Sequence, residues 1–133
     1  MGYRSDVTII FYARGTSNDA GRNAILKLWF DENYPHYVAT SEWCATIRQK
    51  DDAIIVDYDD VKWYEGYDHV QAVEAAIRKF DDTFRCGDEE GQYAHEFVRI
   101  GEEDADIETE RSDYNDSLLY VSRSIRVDMA GID

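Results

Sequence analysis

Residues 68–84, DHVQAVEAAIRKFDDTF, place Val70, Val73, Ile77, Phe80 and Phe84 three and four positions apart. That spacing lays the five side chains along one stripe of an α-helix, so the stretch predicts an amphipathic helix resting on a core. Asp68 and Gln71 have the spacing of a capping box at its start, and Cys86-Gly87 reads as its stop. On either side the period shortens to that of strands. Upstream, Ala53 to Tyr58 (AIIVDY) reads as a strand, joined through the turn Gln49-Lys50-Asp51-Asp52 to a partner strand spanning Tyr37 to Arg48. Trp43, Ala45 and Ile47 of that partner fall on one face. Before it, residues 18–33 predict a first helix, with Ile25, Leu28 and Trp29 at helical spacing and Asn33-Tyr34-Pro35 as its end. Val7 to Tyr12 (VTIIFY) is the β-branched and aromatic run expected of a central strand. Downstream, Gln92 to Ile100, Asp106 to Arg111 and Leu118 to Val127 predict three more strands with short polar connections.

The order is βαββαβ followed by a hairpin-like extension. It predicts one α+β domain over residues 1–133: a ferredoxin-like antiparallel sheet with two helices on one face and an extra C-terminal β-hairpin. Hydrophobic residues make up 44% of the chain, with ten Tyr, three Trp and five Phe, which sets it apart from aromatic-poor disordered acidic chains. No apolar run approaches the roughly 20 residues of a membrane span, and no basic-then-apolar leader opens the sequence. The expectation is a cytoplasmic protein without membrane contact. Cys44 and Cys86 stand far apart outside any metal-type motif, so free thiols are expected.

Charge is the dominant global feature. The formal net charge is −15, which opposes direct binding to nucleic acid. Its distribution is uneven: residues 1–50 hold five acids and six Lys/Arg, whereas residues 51–133 hold 24 acids and eight Lys/Arg. The densest stretch contains Glu102, Glu103, Asp104, Asp106, Glu108, Glu110, Asp113 and Asp116, relieved only by Arg111. On a strand, Asp106, Glu108 and Glu110 share a face at a step of roughly 6.6 Å, close to the spacing of phosphates along one nucleic-acid strand. A second acidic cluster, Asp51, Asp52, Asp57, Asp59, Asp60, Glu65 and Asp68, is interleaved with Tyr58, Trp63, Tyr64 and Tyr67. Carboxylates there would steer a basic partner, and Trp63, Tyr64 and Tyr67 would anchor it. The competing reading is a solvated acidic face or adaptation to a salt-rich cytoplasm, for which four Lys against ten Arg is the matching composition.

Motifs for other chemistry are weak. Asp104-Ala-Asp106-Ile-Glu108 has alternating oxygen ligands but lacks the glycine and the twelfth-position glutamate of a calcium loop. His36, His69 and His95 have no paired spacing, and His95 and Glu96 would point to opposite faces of their strand. With no nucleophile motif or phosphate loop, the expectations are no catalytic residues, no metal and no cofactor.

The opening Met1-Gly2-Tyr3-Arg4-Ser5-Asp6-Val7 and the tract Lys62-Trp63-Tyr64 resemble a loose group of small bacteriophage and prophage proteins. That resemblance implies an origin in phage–host conflict. It also implies an inhibitor of an anti-CRISPR or nuclease-inhibitor type that acts by nucleic-acid mimicry on a basic host protein or nucleoprotein complex. Two other roles stand beside it: a structural or self-associating protein that forms a homodimer, and a small metal-binding protein.

Overall fold

The strand read from VTIIFY becomes the middle of the sheet. The computed structural model describes residues 3–14, 20–40, 42–50, 53–86, 92–103 and 106–112. In chain order these form β1 (Ser5–Ala13), α1 (Ala20–Asn33), α2 (His36–Ala39), β2 (Thr46–Gln49), β3 (Ala53–Val61), α3 (Asp68–Phe84), β4 (Tyr93–Gly101) and β5 (Ile107–Arg111). The fold is mixed α+β, with one five-stranded antiparallel sheet in the order β2-β3-β1-β4-β5. Of the expected C-terminal hairpin, β5 is present as Ile107–Arg111. The strand expected over 118–127 lies outside the described residues.

β1 is buried on both faces, which is why its sequence is continuously apolar rather than alternating. Val7, Ile9, Phe11 and Ala13 face α1 and α3 and join their side chains in the main core. Phe11 lies at its centre, with the Phe80 ring 4.9 Å away, Trp29 at 5.9 Å and Phe30 at 6.0 Å between centroids. Tyr34 and Tyr58 close one side through a 2.6 Å bond between their hydroxyls. Burial pushes both phenols up, Tyr58 to about 12.

Three local expectations are corrected. In α1 the buried residues are Leu26, Trp29 and Phe30, while Ile25 and Leu28 are 51% and 59% exposed. Two adjacent large rings, Trp29 and Phe30, must both enter the core, and this rotates the buried stripe by about one position from the expected one. The strand expected from Tyr37 begins only at Thr46. Consecutive Val38 and Ala39 are both buried, which a single helical turn allows and an alternating strand does not. Trp43, Ala45 and Ile47 nevertheless face the core, with Trp43 stacked on Trp63 at 5.8 Å. The capping box is also absent. Tyr67 is the N-cap of α3 without a side-chain cap bond, and Gln71 Nε2 reaches back to donate to the Glu65 carbonyl at 3.3 Å instead. The helix ends one residue before the expected stop, at Arg85 in the left-handed region (φ 52°).

Candidate acidic interaction site

Antiparallel pairing sets Phe97 opposite Glu110 and Arg99 opposite Glu108, so these side chains share the face on which α3 lies. Asp106, just ahead of β5, joins them. The three carboxylates predicted to share a face therefore do so, yet two of them are clamped. Arg99 Nη1 and Nη2 donate to the two oxygens of Asp106 at 3.1 and 2.7 Å, and its Nε donates to Glu108 at 2.9 Å. These contacts, those to Asp106 first, raise the guanidinium's already high pKa. The row is thus partly neutralised by a base from the neighbouring strand. Strand alternation puts Arg99 on the same face as His95 and Phe97, but the sequence alone does not say which strand lies beside β4.

The N-terminal residues hold the same end of the sheet together. The Tyr3 hydroxyl donates to Asp106 at 2.5 Å and accepts from the Glu103 amide at 2.9 Å, while the Tyr3 amide donates to the Tyr64 hydroxyl at 2.6 Å. The Arg4 amide bonds Glu102 at 2.5 Å, and its guanidinium donates to the Asp60 carbonyl at 2.9 Å. The Asp60 amide in turn donates to Asp6 at 2.9 Å. A Cβ at Gly101 would run into the Asp106 carboxylate and the Tyr3 hydroxyl, so a larger residue there must displace this knot. Glu102, Glu103, Asp59 and Asp60 consequently gather at one sheet end with exposed side chains.

Among the expected anchors, Tyr67 is 41% exposed and pairs edge-on with the half-buried Tyr64 at 5.0 Å. Trp63 is instead a core residue, 9% exposed and within 6.1 Å of Trp43, Tyr58 and Phe97. The reason is its place immediately after β3, where the chain turns inward to reach α3. Asp104 and Asp113 lie outside the described residues, as do Asp51 and Asp52. Asp57 turns to the other face of the sheet, bonded to Arg48 at 2.8 Å and Thr8 at 2.6 Å.

Between α3 and β5 this surface holds a groove of about 370 Å³. Glu65, Glu74, Asp81, Glu108 and Glu110 line it, with Arg78 as the base among them and Ile77 and Phe97 as apolar lining. Beside it lies His95, 2% exposed, its Nδ1 2.8 Å from Asp81 and its Nε2 3.5 Å from Glu110. Two carboxylates from different elements therefore bracket one buried imidazole. Sequence reading missed Asp81, Glu74 and His95 as neighbours of the acidic row. The helical spacing of Glu74, Arg78 and Asp81 on the edge of the α3 stripe was the available signal.

Glu74 lies on the α3 wall of the groove. Burial raises its pKa from the ordinary 4.5, and Glu65, Glu108 and Glu110 push the same way against Arg78. A carboxyl raised in the folded state contributes stability below its unfolded pKa and loses it as pH rises through the folded value. Glu74→Gln is therefore expected to stabilise the chain at pH 7 by up to about 1 kcal/mol, a gain that vanishes near pH 4. Thermal melts of the two proteins at both pH values measure this.

Cys44 is exposed and Cys86 half-buried, both as free thiols, and burial pushes the Cys86 thiol well above its ordinary range. Among the described residues no group of three or more His, Cys, Asp or Glu is placed to hold a metal ion. No described helix is long and apolar enough to cross a membrane. No family model, no curated protein and no solved structure matches the chain.

Proposed function

We propose that this chain is a non-enzymatic binding protein whose groove between α3 and β5 receives cationic side chains from a basic partner. The observation carrying this reading is the groove itself: five carboxylates against one guanidinium, over an apolar lining that suits the stem of an Arg or Lys side chain. In its fuller form the partner is a host nucleic-acid-binding or defence protein, and the chain inhibits it by standing in for nucleic acid. The acids at the sheet end, Glu102, Glu103, Asp59 and Asp60, support that form by extending negative charge beyond the groove, with Tyr64 and Tyr67 beside them. Arg99 weighs against a bare phosphate-like row and moves the recognition element from the strand face to the groove. The frame is read as ferredoxin-like. The order β2-β3-β1-β4 with α1 and α3 on one face supports this, β5 being an edge addition.

The test uses an arginine-rich peptide as probe and two variants of equal charge. Glu65→Gln/Glu74→Gln/Glu110→Gln neutralises the groove, and Asp31→Asn/Glu32→Gln/Glu42→Gln neutralises three exposed acids elsewhere. Fluorescence anisotropy is expected to show Kd rising at least about tenfold for the groove variant and far less for the control. Equal losses would reduce the interaction to net charge and sink the groove reading. Host proteins captured at low salt and released by a salt ramp then test mimicry. The mimicry form requires that this chain displace their DNA or RNA.

A second reading, self-association, has its own observation. Ile25 and Leu28 project from the outer side of α1 at 51% and 59% exposure. Light scattering across a dilution series decides it, since a strict monomer at high concentration removes it.

A further inference from the structure

His95 links the two walls of the α3–β5 groove, with one ring nitrogen turned to each. Its Nδ1 lies 2.8 Å from Asp81 of α3, and its Nε2 lies 3.5 Å from Glu110 of β5. An ionised carboxylate only accepts, so the proton of the neutral ring is on Nδ1 and is donated to Asp81. Nε2 is then a lone pair turned toward a second carboxylate, and among the described residues it has no hydrogen-bond partner. Two acceptors 3.5 Å apart oppose each other. A second proton on the ring reverses this. Nε2 becomes a cationic donor, and a charge-assisted bond to Glu110 needs an approach of only about 0.7 Å.

The other titratable and charged groups around the ring come from three elements. On α3, Arg78 and Glu74 stand along the same wall as Asp81, and the Cys86 thiol lies just past the helix end against Asp81. Burial pushes that thiol up, so it stays neutral. On β5, Glu108 precedes Glu110 on the same face. On β4 itself, Arg99 is held by Asp106 and Glu108. β1 sets Phe11 opposite His95 and brings only apolar side chains to this face.

We propose that His95 makes the groove proton-linked: a second proton on its ring draws Glu110 inward, and the groove releases a cationic occupant as pH falls. This rests on the groove's being a receptor for Arg or Lys side chains. Two effects act in the same direction. The imidazolium sets a positive charge between the walls, and Glu110 leaves the occupant for the ring. Imidazoles change charge between about pH 5 and 8, a range in which ordinary carboxylates stay ionised. Glu74, whose carboxyl is raised by burial, adds to the loss at the acid end. Linkage makes the effect reciprocal: an occupant expelled by the proton opposes the proton by the same factor.

Anisotropy of a labelled arginine-rich peptide tests this at pH 8 and pH 5.5, with the wild-type chain, His95→Gln and the control His36→Gln/His69→Gln. On acidification Kd is expected to rise about tenfold for the wild-type and control chains, and less than about threefold for His95→Gln. A wild-type Kd that does not change overturns the proposal. So does a His95→Gln profile as steep as the wild type, because net charge then explains the loss. A second measurement needs no substitution. Ring-nitrogen NMR of the full chain follows the His95 protonation midpoint with and without saturating peptide. Tenfold coupling lowers the midpoint by about one pH unit in the bound state, and an unmoved or raised midpoint overturns the proposal. The two readings fail separately. A peptide that binds Glu65→Gln/Glu74→Gln/Glu110→Gln as tightly as the equal-charge control removes the receptor reading, and this proposal with it. A peptide weakened by that variant but held equally at both pH values removes this proposal alone.

Discussion

Phe80→Ala is expected to lower the unfolding free energy by about 3–5 kcal/mol, among the largest losses available from a single side chain here. Phe80 has no exposed surface and sits where α1, α3 and the sheet converge. Its ring lies 4.9 Å from Phe11, 5.1 Å from Trp29 and 5.0 Å from Phe84, and 6.5 Å from Tyr93. Truncation removes the apolar transfer contribution and leaves a cavity walled by rings. Rings are poor at collapsing into a void, because each moves as a rigid plate. Total stability for a domain of this size is typically about 5–15 kcal/mol, so the variant approaches the folding threshold. Phe80→Leu keeps most of the volume and is expected to cost less than half as much. Urea melts of the three proteins check this, with an unchanged m-value marking a change in stability rather than in the unfolded state.

Phe80 was legible in the sequence because it belongs to the strongest periodic signal in the chain. α3 and the strands were likewise readable, β1 and β3 from their apolar runs and β5 from its alternating acids: β1, β3, β4 and β5 fall within a few residues of their expected bounds. The errors fall where a tertiary requirement outweighs a local pattern. Tyr37 to Cys44 alternates well enough for a strand, but the chain leaving α1 at Pro35 must first bury Val38, Ala39 and Trp43 beneath the sheet. In α1, local spacing fits Ile25 and Leu28 as well as Leu26, and only the demand of two adjacent rings decides between them. The site divides in the same way. That Asp106, Glu108 and Glu110 share a face follows from strand geometry and needs no partner. That Arg99 quenches two of them depends on β5 pairing with β4 in one register, and the groove depends on α3 lying over that edge. Acidity was visible residue by residue, but the counter-charge was not.

Arg99→Met carries the second large effect, an expected loss of about 2–3 kcal/mol. The Arg99 side chain is 16% exposed, and its guanidinium donates to Asp106, Glu108 and the Ser5 hydroxyl, tying β1, β4 and β5 at one end of the sheet. Methionine retains much of the stem's packing, so what is lost is chiefly the charged bonds. The two carboxylates are then left facing each other with the Tyr3 hydroxyl as a donor to Asp106. Arg99→Lys keeps the charge but replaces a planar fork with a point, and it is expected to recover less than half of the loss. The informative comparison is a double-mutant cycle with Asp106→Asn. If the bidentate pair carries the effect, the two losses are strongly non-additive, with a coupling energy of about 1–2 kcal/mol. Additive losses would instead mean that Arg99 acts through Glu108, Ser5 and packing rather than through Asp106. The same variant separates fold from recognition. It makes the chain one charge more acidic, so binding to an arginine-rich peptide governed by net charge would strengthen. Binding governed by the shaped groove is expected to weaken, because β5 and Glu110 lose the strand end that positions them.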